Sequence, residues 1–242
     1  MRLGAILFEL SLLGTTLVFG EEGTDQPAQV TTTENVNFVP GGVIRFNGSY
    51  GDLNLEGWDR PEVEITVIKS LPYDYEKNRP DTATKHLEAV RILTERKSNT
   101  DLVISTNLAD RDGLVSPPLP RKTKGRVNIE YDIHAPRDSK LVIHHANGIV
   151  FVNDVSGDIE ATCGRGDIVL MLRDAGAYSI DAKSRFGTVR SDFPGTVRLK
   201  LYRLGQRYAV TNPSSPGRIY LRVGFGGITI KAILPETRVS GK

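Results

Sequence analysis

A glycine followed by two alternating apolar residues recurs along most of the chain, and this pattern limits the fold more than any other feature. The glycines concerned are Gly42, Gly51, Gly125, Gly148, Gly157, Gly166, Gly176, Gly195, Gly217 and Gly226, with Gly187 as a weaker example. Alternation with a period of two indicates a strand with one buried face. Glycine at the start of each unit indicates a corner, because it adopts a positive φ that a Cβ atom disfavours. The sequence therefore predicts an all-β protein of short strands.

The spacing of these glycines leaves two architectures open. From Gly148 to Gly195 they follow one another at 9, 9, 10, 11 and 8 residues, so that each unit holds one short strand and one turn. One possibility is an antiparallel meander or β-sandwich, in which Asn147 and Gly148 form a hairpin turn. The other is a coil with two strands in each turn.

Aligning alternate units favours the coil. The inward positions counted back from Gly148, Gly166 and Gly187 form three columns: Leu141, Ile159, Ile180; then Ile143, Ala161, Ala182; then His145, Cys163, Ser184. Adjacent units agree less well, because Asp154 takes the place equivalent to His145 and Cys163. A period of about 18 to 21 residues fits layers stacked roughly 4.8 Å apart. We predict a single-domain β-solenoid, with an antiparallel β-sandwich as the alternative.

The first twenty residues have the pattern of a secretory signal peptide. Arg2 precedes an apolar segment from Leu3 to Phe19, and Gly20 precedes Glu21 at the expected cleavage point. Glu9 places a charge inside this segment, so an uncleaved anchor is the alternative. Because the segment is shorter than the ~20 clean apolar residues that span a bilayer, we predict cleavage and export to the periplasm, the outer envelope or the medium.

The rest of the chain divides by its periodicity. Residues 21–35 have none and are predicted to be a flexible leader, whereas residues 36–234 form one β domain. Residues 70–124 interrupt the pattern and are predicted to be an insertion, and residues 235–242 a polar tail that frays.

Within the insertion, the sequence predicts a short helix and a hairpin. The helix runs from Lys85 to Val90, and the hairpin joins Ile92–Glu95 to Leu102–Thr106. The segment 108–124 contains three prolines, which excludes a central strand.

Composition excludes several partners. The chain of 242 residues carries 31 basic and 29 acidic side chains, and this balance argues against a nucleic-acid partner. A single cysteine, Cys163, allows neither a disulfide framework nor a thiolate zinc site, and its inward position fits a buried thiol. We predict no metal or cofactor.

Several runs resemble the bacterial putative-adhesin family, a domain of unknown function made of β-strand repeats. They are Gly51–Asp59 with alternating Val63, Ile65 and Val67, then Ile133–Pro136, Leu141–Val152, Val155–Ile159 and Gly166–Ile168. The resemblance covers about residues 36–234 and implies an exported β-repeat protein of the cell envelope, without catalytic residues to transfer. The chain departs from it in the basic segment 121–124 and in less regular repeats after Leu201.

Two motifs have a functional and a structural interpretation. Arg165, Gly166 and Asp167 spell a cell-attachment tripeptide, but the repeat already requires glycine at its corner. His134, His144 and His145 are close in sequence and could bind a metal. However, adjacent strand residues face opposite ways, so His144 and His145 cannot both join His134.

A polysaccharide-cleaving site would need clustered carboxylates or bases. Asp167, Asp181 and Lys183 are the candidates, but they lie on regular strands where charges are expected, and no Gly-x-Ser-x-Gly motif occurs. We therefore predict no catalytic residues and a non-catalytic envelope or surface protein that contacts an unidentified protein or glycan. The alternatives are a β-helix enzyme acting on polysaccharide and a periplasmic sensor or assembly partner, with a cap or interface near Tyr202 to Tyr208.

Overall fold

A computed structural model describes residues 29–71, 87, 90–108, 127–199 and 204–233, and the backbone of residues 14–16. The described chain is all-β, with two mixed nine-stranded sheets that share one apolar core. Sheet I has the order β1 (Gly14–Thr16), β2 (Gln29–Asn37), β5 (Glu62–Ser70), β8 (Asn128–Pro136), β4 (Asp52–Trp58), β10 (Val150–Asn153), β12 (Ile168–Leu172), β18 (Ile228–Ala232), β14 (Val189–Ser191). Sheet II has the order β15 (Thr196–Leu199), β16 (Gln206–Val210), β13 (Tyr178–Phe186), β17 (Gly217–Phe225), β11 (Ile159–Arg165), β9 (Lys140–Asn147), β3 (Val43–Gly48), β7 (Asp101–Leu108), β6 (Val90–Ser98).

Pairs of consecutive strands connect the two sheets. Each pair places its first strand in sheet II and its second in sheet I, and neighbouring pairs run parallel to each other. In spatial order the pairs are β7–β8, β3–β4, β9–β10, β11–β12, β17–β18 and β13–β14. The two-layer arrangement is compatible with the sandwich alternative. Asn147 and Gly148 nevertheless do not form a hairpin turn, because β9 and β10 belong to different sheets.

The register agrees with the alignment of alternate units for the first two members of each column. Leu141 pairs with Ile159 and His145 with Cys163, as that alignment predicts. The third member lies one strand further away, because β17 is inserted between β11 and β13, so that Ile180 pairs with Ile219. The order of the strand pairs in space is therefore not their order along the chain.

Antiparallel strands complete both ends of sheet II and one end of sheet I. At one end β5 pairs with β8 and β2 with β5, and β6 pairs with β7. At the other end β16 pairs with β13 and β15 with β16, which places regular structure at part of the irregular region around Tyr208. The prediction of a flexible leader over residues 21–35 was wrong for residues 29–35, which lie in β2. Residues 21–28 lie outside the described chain.

The predicted insertion also needs correction. Its hairpin is present as β6 and β7, but β7 pairs in parallel with β3 and belongs to sheet II rather than to a separate excursion. Of the predicted helix, Leu87 is helical, whereas Val90 already begins β6. Residues 109–126 and the predicted tail lie outside the described chain. No helix among the described residues has the length and apolar character that crossing a bilayer requires.

The core lies between the inner faces of the two sheets. Along each strand the inward residue of every pair is buried, as for Phe46 in β3, Tyr131 in β8 and Leu170 in β12. Burial of a side chain of this size contributes about 1.5–3 kcal/mol. Apolar residues at every second position therefore hold the two sheets together, and the outward positions are free to vary.

Candidate functional site: the outer face of sheet II

The corner at which the chain passes from sheet II to sheet I is built on a row of glycines, which we call the glycine corner. Gly51, Gly148, Gly166, Gly226 and Gly187 follow one another in the order of the strand pairs, and all have positive φ. A Cβ atom added to Gly166 would lie 2.0 Å from the carbonyl oxygen of Gly148, and one added to Gly226 would lie 1.9 Å from that of Gly166. Each glycine is thus required both by its backbone angle and by the carbonyl beside it.

The Arg165–Gly166–Asp167 tripeptide lies in this corner. The Asp167 carboxylate accepts a hydrogen bond from the N–H of Gly227, on the neighbouring strand pair, at 2.5 Å. Asp52 accepts one from the N–H of Ile149 in the same way, at 2.8 Å. The aspartate that follows the corner glycine therefore accepts a hydrogen bond from a backbone N–H of the neighbouring strand pair. The fold itself thus explains why Gly166 and Asp167 occur at these positions.

The three histidines point to three different places. His134 lies on the outer face of sheet I, stacked on Trp58 with 5.2 Å between ring centroids. His144 is exposed on sheet II, with its Nδ1 atom 2.9 Å from the Thr162 hydroxyl. His145 is buried and donates from Nε2 to the carbonyl of Gly51 at 2.7 Å, and desolvation lowers its pKa. They do not converge, and no group of three or more potential metal ligands occurs in the described part of the chain.

The single cysteine is an interior side chain. Cys163 is buried, and its thiol donates to the carbonyl of Gly148 at 3.4 Å. Burial raises the pKa of this thiol to about 11. Because the thiolate is the nucleophilic form, Cys163 is a packing residue rather than a reactive one.

The three residues considered for hydrolysis, Asp167, Asp181 and Lys183, do not form one cluster. Asp181 and Lys183 lie on the outer face of β13, whereas Asp167 lies at the glycine corner. Desolvation raises the pKa of Asp181, but hydrogen bonds from Arg207 and Arg222 outweigh it and hold that pKa below its usual value. The two guanidinium groups approach the Asp181 carboxylate to 2.8 and 2.7 Å. Asp181 is therefore an ionised carboxylate whose negative charge is balanced by two arginines. Glycoside hydrolysis requires a protonated acid instead.

A groove of about 600 Å³ crosses the outer face of sheet II. Its floor is apolar, with Val43 and Val142, and the ring of Tyr220 is 43% exposed at one side. The Arg222 guanidinium lies 3.6 Å from the centroid of that ring and holds it in place. The charged side chains around the groove are Arg45, Lys140, Asp158, Glu160 and Arg218. The combination of one aromatic face with charges of both signs suits a polar ligand with apolar patches.

The outer faces of the two sheets differ in charge. On sheet I, strands β4, β5 and β8 carry the acidic residues Asp52, Glu56, Glu62, Glu64, Glu130 and Asp132. On sheet II, basic residues outnumber acidic ones: Arg45, Arg91, Arg96, Lys97, Lys140, Arg165, Lys183, Arg185, Arg198, Arg207, Arg218 and Arg222 against Glu95, Asp101, Asp158, Glu160 and Asp181. Sequence reasoning missed this difference and also Tyr220, because outward positions are unconstrained in the repeat pattern. The alternation of apolar and polar residues was the one signal for these positions. It identifies a residue that points outward but not the ligand that the residue binds.

Comparisons with known proteins give distant structural likenesses only. No protein-family model matches the chain, and no curated protein matches it. A "putative cell adhesion protein" of Clostridium sporogenes is 15% identical, with a TM-score of 0.42, covering 86% of this chain and 100% of its own. A "putative adhesin" of Bacteroides fragilis is 11% identical with a TM-score of 0.23, covering 84% and 97%. A "putative lipid binding protein" of Parabacteroides distasonis is 10% identical with a TM-score of 0.25, covering 84% and 97%. Such likenesses assign neither a family nor a ligand.

Proposed function

We propose that this protein is an exported, non-catalytic protein of the cell envelope that contacts proteins or glycans through the outer face of sheet II. In this proposal the parallel strand pairs are the coils of a β-solenoid, and the chain is a member of the adhesin-like family that its sequence resembles. The groove beside Tyr220 is the observation that carries the proposal.

The groove suits a glycan for two physical reasons. An exposed aromatic ring packs against the apolar C–H face of a sugar ring, and Tyr220 remains 43% exposed although Arg222 lies over one side of its ring. Sugar hydroxyls need donors and acceptors, and Glu160 and Arg218 supply both within the lining of the same groove. Because the strands beneath are paired on both sides, the groove keeps its shape without a ligand, which lowers the cost of binding.

The proposed absence of catalysis is supported by the state of the candidate acids. Asp181 is held ionised by Arg207 and Arg222, and the Asp167 carboxylate is bonded to the N–H of Gly227. A glycosidase needs one carboxyl group with a raised pKa within about 5 to 10 Å of an ionised one. The pKa of Asp181 is lowered rather than raised, so Asp181 is not suited to be the acid.

Retention on immobilised glycans tests the proposal. The purified protein is passed over neutral and acidic glycans, and both retention and release of soluble sugar are measured. We expect retention by at least one glycan without release of sugar, and loss of that retention in Tyr220→Ala. Leu93→Ala is the matched control, because Leu93 is similarly exposed at 49% but lies on the edge strand β6. Sugar release, or retention that is unchanged in Tyr220→Ala, would contradict the proposal.

Export is tested separately by fractionating cells that produce the chain. We expect the protein in the envelope or the medium, with an N-terminus at Glu21 after cleavage of residues 1–20. Full-length protein confined to the cytoplasm would contradict this part of the proposal.

A further inference from the structure

Two phenylalanines and two arginines form a stacked column where sheet II meets the glycine corner. The rings of Phe186 and Phe225 stack with 4.7 Å between centroids and 14° between planes. The Arg165 guanidinium carbon lies 5.6 Å from the centroid of Phe225, and that of Arg185 lies 5.2 Å from the centroid of Phe186. Phe225 is 52% exposed, and both arginines are exposed. A stacked aromatic pair is thus flanked by cations at the surface.

The two arginines of this column have N–H donors that are not engaged by a carboxylate. Within the described residues, neither Arg165 nor Arg185 has an acidic partner within 4 Å. Cation–π contact fixes the position of a guanidinium and leaves its N–H groups free to bind. The column therefore holds two oriented guanidinium groups without neutralising them. The nearby carboxylate of Asp167 accepts the Gly227 N–H.

A row of further cations adjoins the column on the outer face of sheet II. Lys183 stands directly opposite Arg222 on one side and Arg207 on the other. Asp181 is the carboxylate bonded to both of these arginines, so the row keeps an excess of positive charge. Like charges opposite each other on a sheet repel, and a bound polyanion relieves that repulsion. We call these residues together with the column the basic patch: Arg165, Lys183, Arg185, Phe186, Arg207, Arg222 and Phe225.

We infer that the basic patch binds an acidic polysaccharide that carries carboxylate groups, such as a polyuronate. The inference rests on the proposed function and names the ligand class. A guanidinium binds a carboxylate through two parallel hydrogen bonds, which suits Arg165 and Arg185. The cations of the patch lie on four adjacent strands, β11, β17, β13 and β16, and therefore span roughly 14 Å. An extended chain with repeated charges reaches all of them, whereas a single anion does not.

The geometry of the rings favours a sugar polymer over a nucleic acid. Single-stranded nucleic acids bind by stacking their bases on free aromatic faces. Here the faces of Phe186 and Phe225 cover each other and are flanked by Arg185 and Arg165, so that ring edges are presented instead. The acidic residues of β4, β5 and β8 repel the same polyanion from that part of sheet I.

Binding of polygalacturonate to the full chain tests the inference, with dextran as the neutral comparison. We expect binding at low salt that weakens steeply as salt is added, because the contacts are ionic. In the double variant Arg165→Gln and Arg185→Gln we expect about a tenfold or greater loss of affinity. The matched control is Arg190→Gln, which removes an exposed arginine from β14 in sheet I and should leave binding unchanged. An unchanged thermal midpoint in all variants shows that folding is intact.

Other outcomes would overturn the inference. They are equal binding of dextran, unchanged affinity in the double variant, and tighter binding of a single-stranded oligonucleotide or of polyglutamate than of polygalacturonate. If polygalacturonate does not bind but another glycan is retained through Tyr220, the inference fails and the proposed function stands. If no glycan is retained at all, both the inference and the glycan-binding part of the proposed function fail.

Discussion

The two corners that connect the sheets are built in different ways. At the glycine corner, where the chain passes from sheet II to sheet I, close backbone contacts make the fit, with the Cβ position of Gly166 filled by the carbonyl of Gly148 and with Asp167 and Asp52 accepting backbone N–H groups. At the opposite corner, where the chain returns to sheet II, ion pairs between side chains add to such backbone contacts, of which one leaves 2.2 Å between a Cβ atom added to Gly157 and the Ser139 carbonyl oxygen. Asp154 has a positive φ of 56°. Its carboxylate accepts hydrogen bonds from Arg173 and forms an ion pair with Arg137. We call this second region the polar corner.

The polar corner also contains side-chain hydrogen bonds between different strand pairs. Arg137 binds Asp59 through two bonds of 3.0 and 3.2 Å, and Tyr178 donates to the carbonyl of Ser156 at 2.9 Å. Hydrogen bonding and charge from Arg137 lower the pKa of the exposed Asp59 carboxyl. Side chains can span loops of different lengths, whereas the glycine corner accepts only one backbone path.

The largest predicted effect concerns the strands that leave the glycine corner. Val150 and Ile168 each lie two residues after a corner glycine and are fully buried. Replacing either by aspartate buries a charge without a partner, and we expect a loss of about 4 kcal/mol or more and failure to export folded protein. Val169→Asp is the control, because Val169 is the next residue and is only half-buried, on the outer face. Thermal unfolding measures the difference, and equal midpoints for Ile168→Asp and the wild type would disprove the inward assignment.

A somewhat smaller effect is expected within the glycine corner itself. Gly166→Ala must keep φ near 123° and must move the Gly148 carbonyl away, so we expect a loss of about 3 kcal/mol. Gly227→Ala provides a matched control one strand pair away. A Cβ atom there meets its nearest neighbour at 3.4 Å, so we expect less than about 1 kcal/mol. Urea unfolding of both variants measures the two losses in the free energy of unfolding. Similar losses would show that the corner has no special requirement for glycine at position 166.

The same contrast explains what the sequence predicted and what it did not. The pairing of Leu141 with Ile159 could be predicted from the sequence. Both residues lie the same number of positions before a corner glycine, and the period of two places both on the inner face. The place of Ile180 was not, because β17 returns from later in the chain to lie between β11 and β13, and no local pattern records that path.

The candidate surfaces were hidden from the sequence for a related reason. Phe186 and Phe225 are far apart in the chain and become neighbours only through the inserted strand. Tyr220 occupies an outward position at which the repeat allows any residue. Buried columns are therefore predictable from pattern, whereas outer-face sites depend on strand order.

A third prediction concerns His145, whose buried imidazole packs inside the glycine corner. Desolvation lowers the pKa of His145, so the unfolded state takes up a proton at a higher pH than the folded state. Stability is therefore full above the unfolded value of about 6.5 and falls as the pH drops below it.

We expect His145→Val to weaken this fall in stability between about pH 6.5 and pH 5, because Val223 already occupies the same column. The control is His144→Gln, which changes an exposed histidine on the other side of the strand. Thermal midpoints across this pH range test the prediction. An identical pH dependence in wild type and His145→Val would show that another group is responsible.

The smallest effect should come from the polar corner. Asp154→Asn keeps a residue that tolerates positive φ but removes the charge that binds Arg137 and Arg173. Because Arg173 is largely exposed, we expect a loss of only about 0.5–1 kcal/mol at low salt, shrinking as salt screens the pair.

Asp174→Asn is the control for Asp154→Asn, because Asp174 accepts a backbone N–H from Gly176 and asparagine can do the same. Urea unfolding at low and high salt separates the two corners. The loss in Asp154→Asn should depend on salt, and the loss in Gly166→Ala should not, since the contacts of Asp154 are ionic and the contact at Gly166 is steric. A salt-independent loss in Asp154→Asn would mean that both corners depend on steric fit.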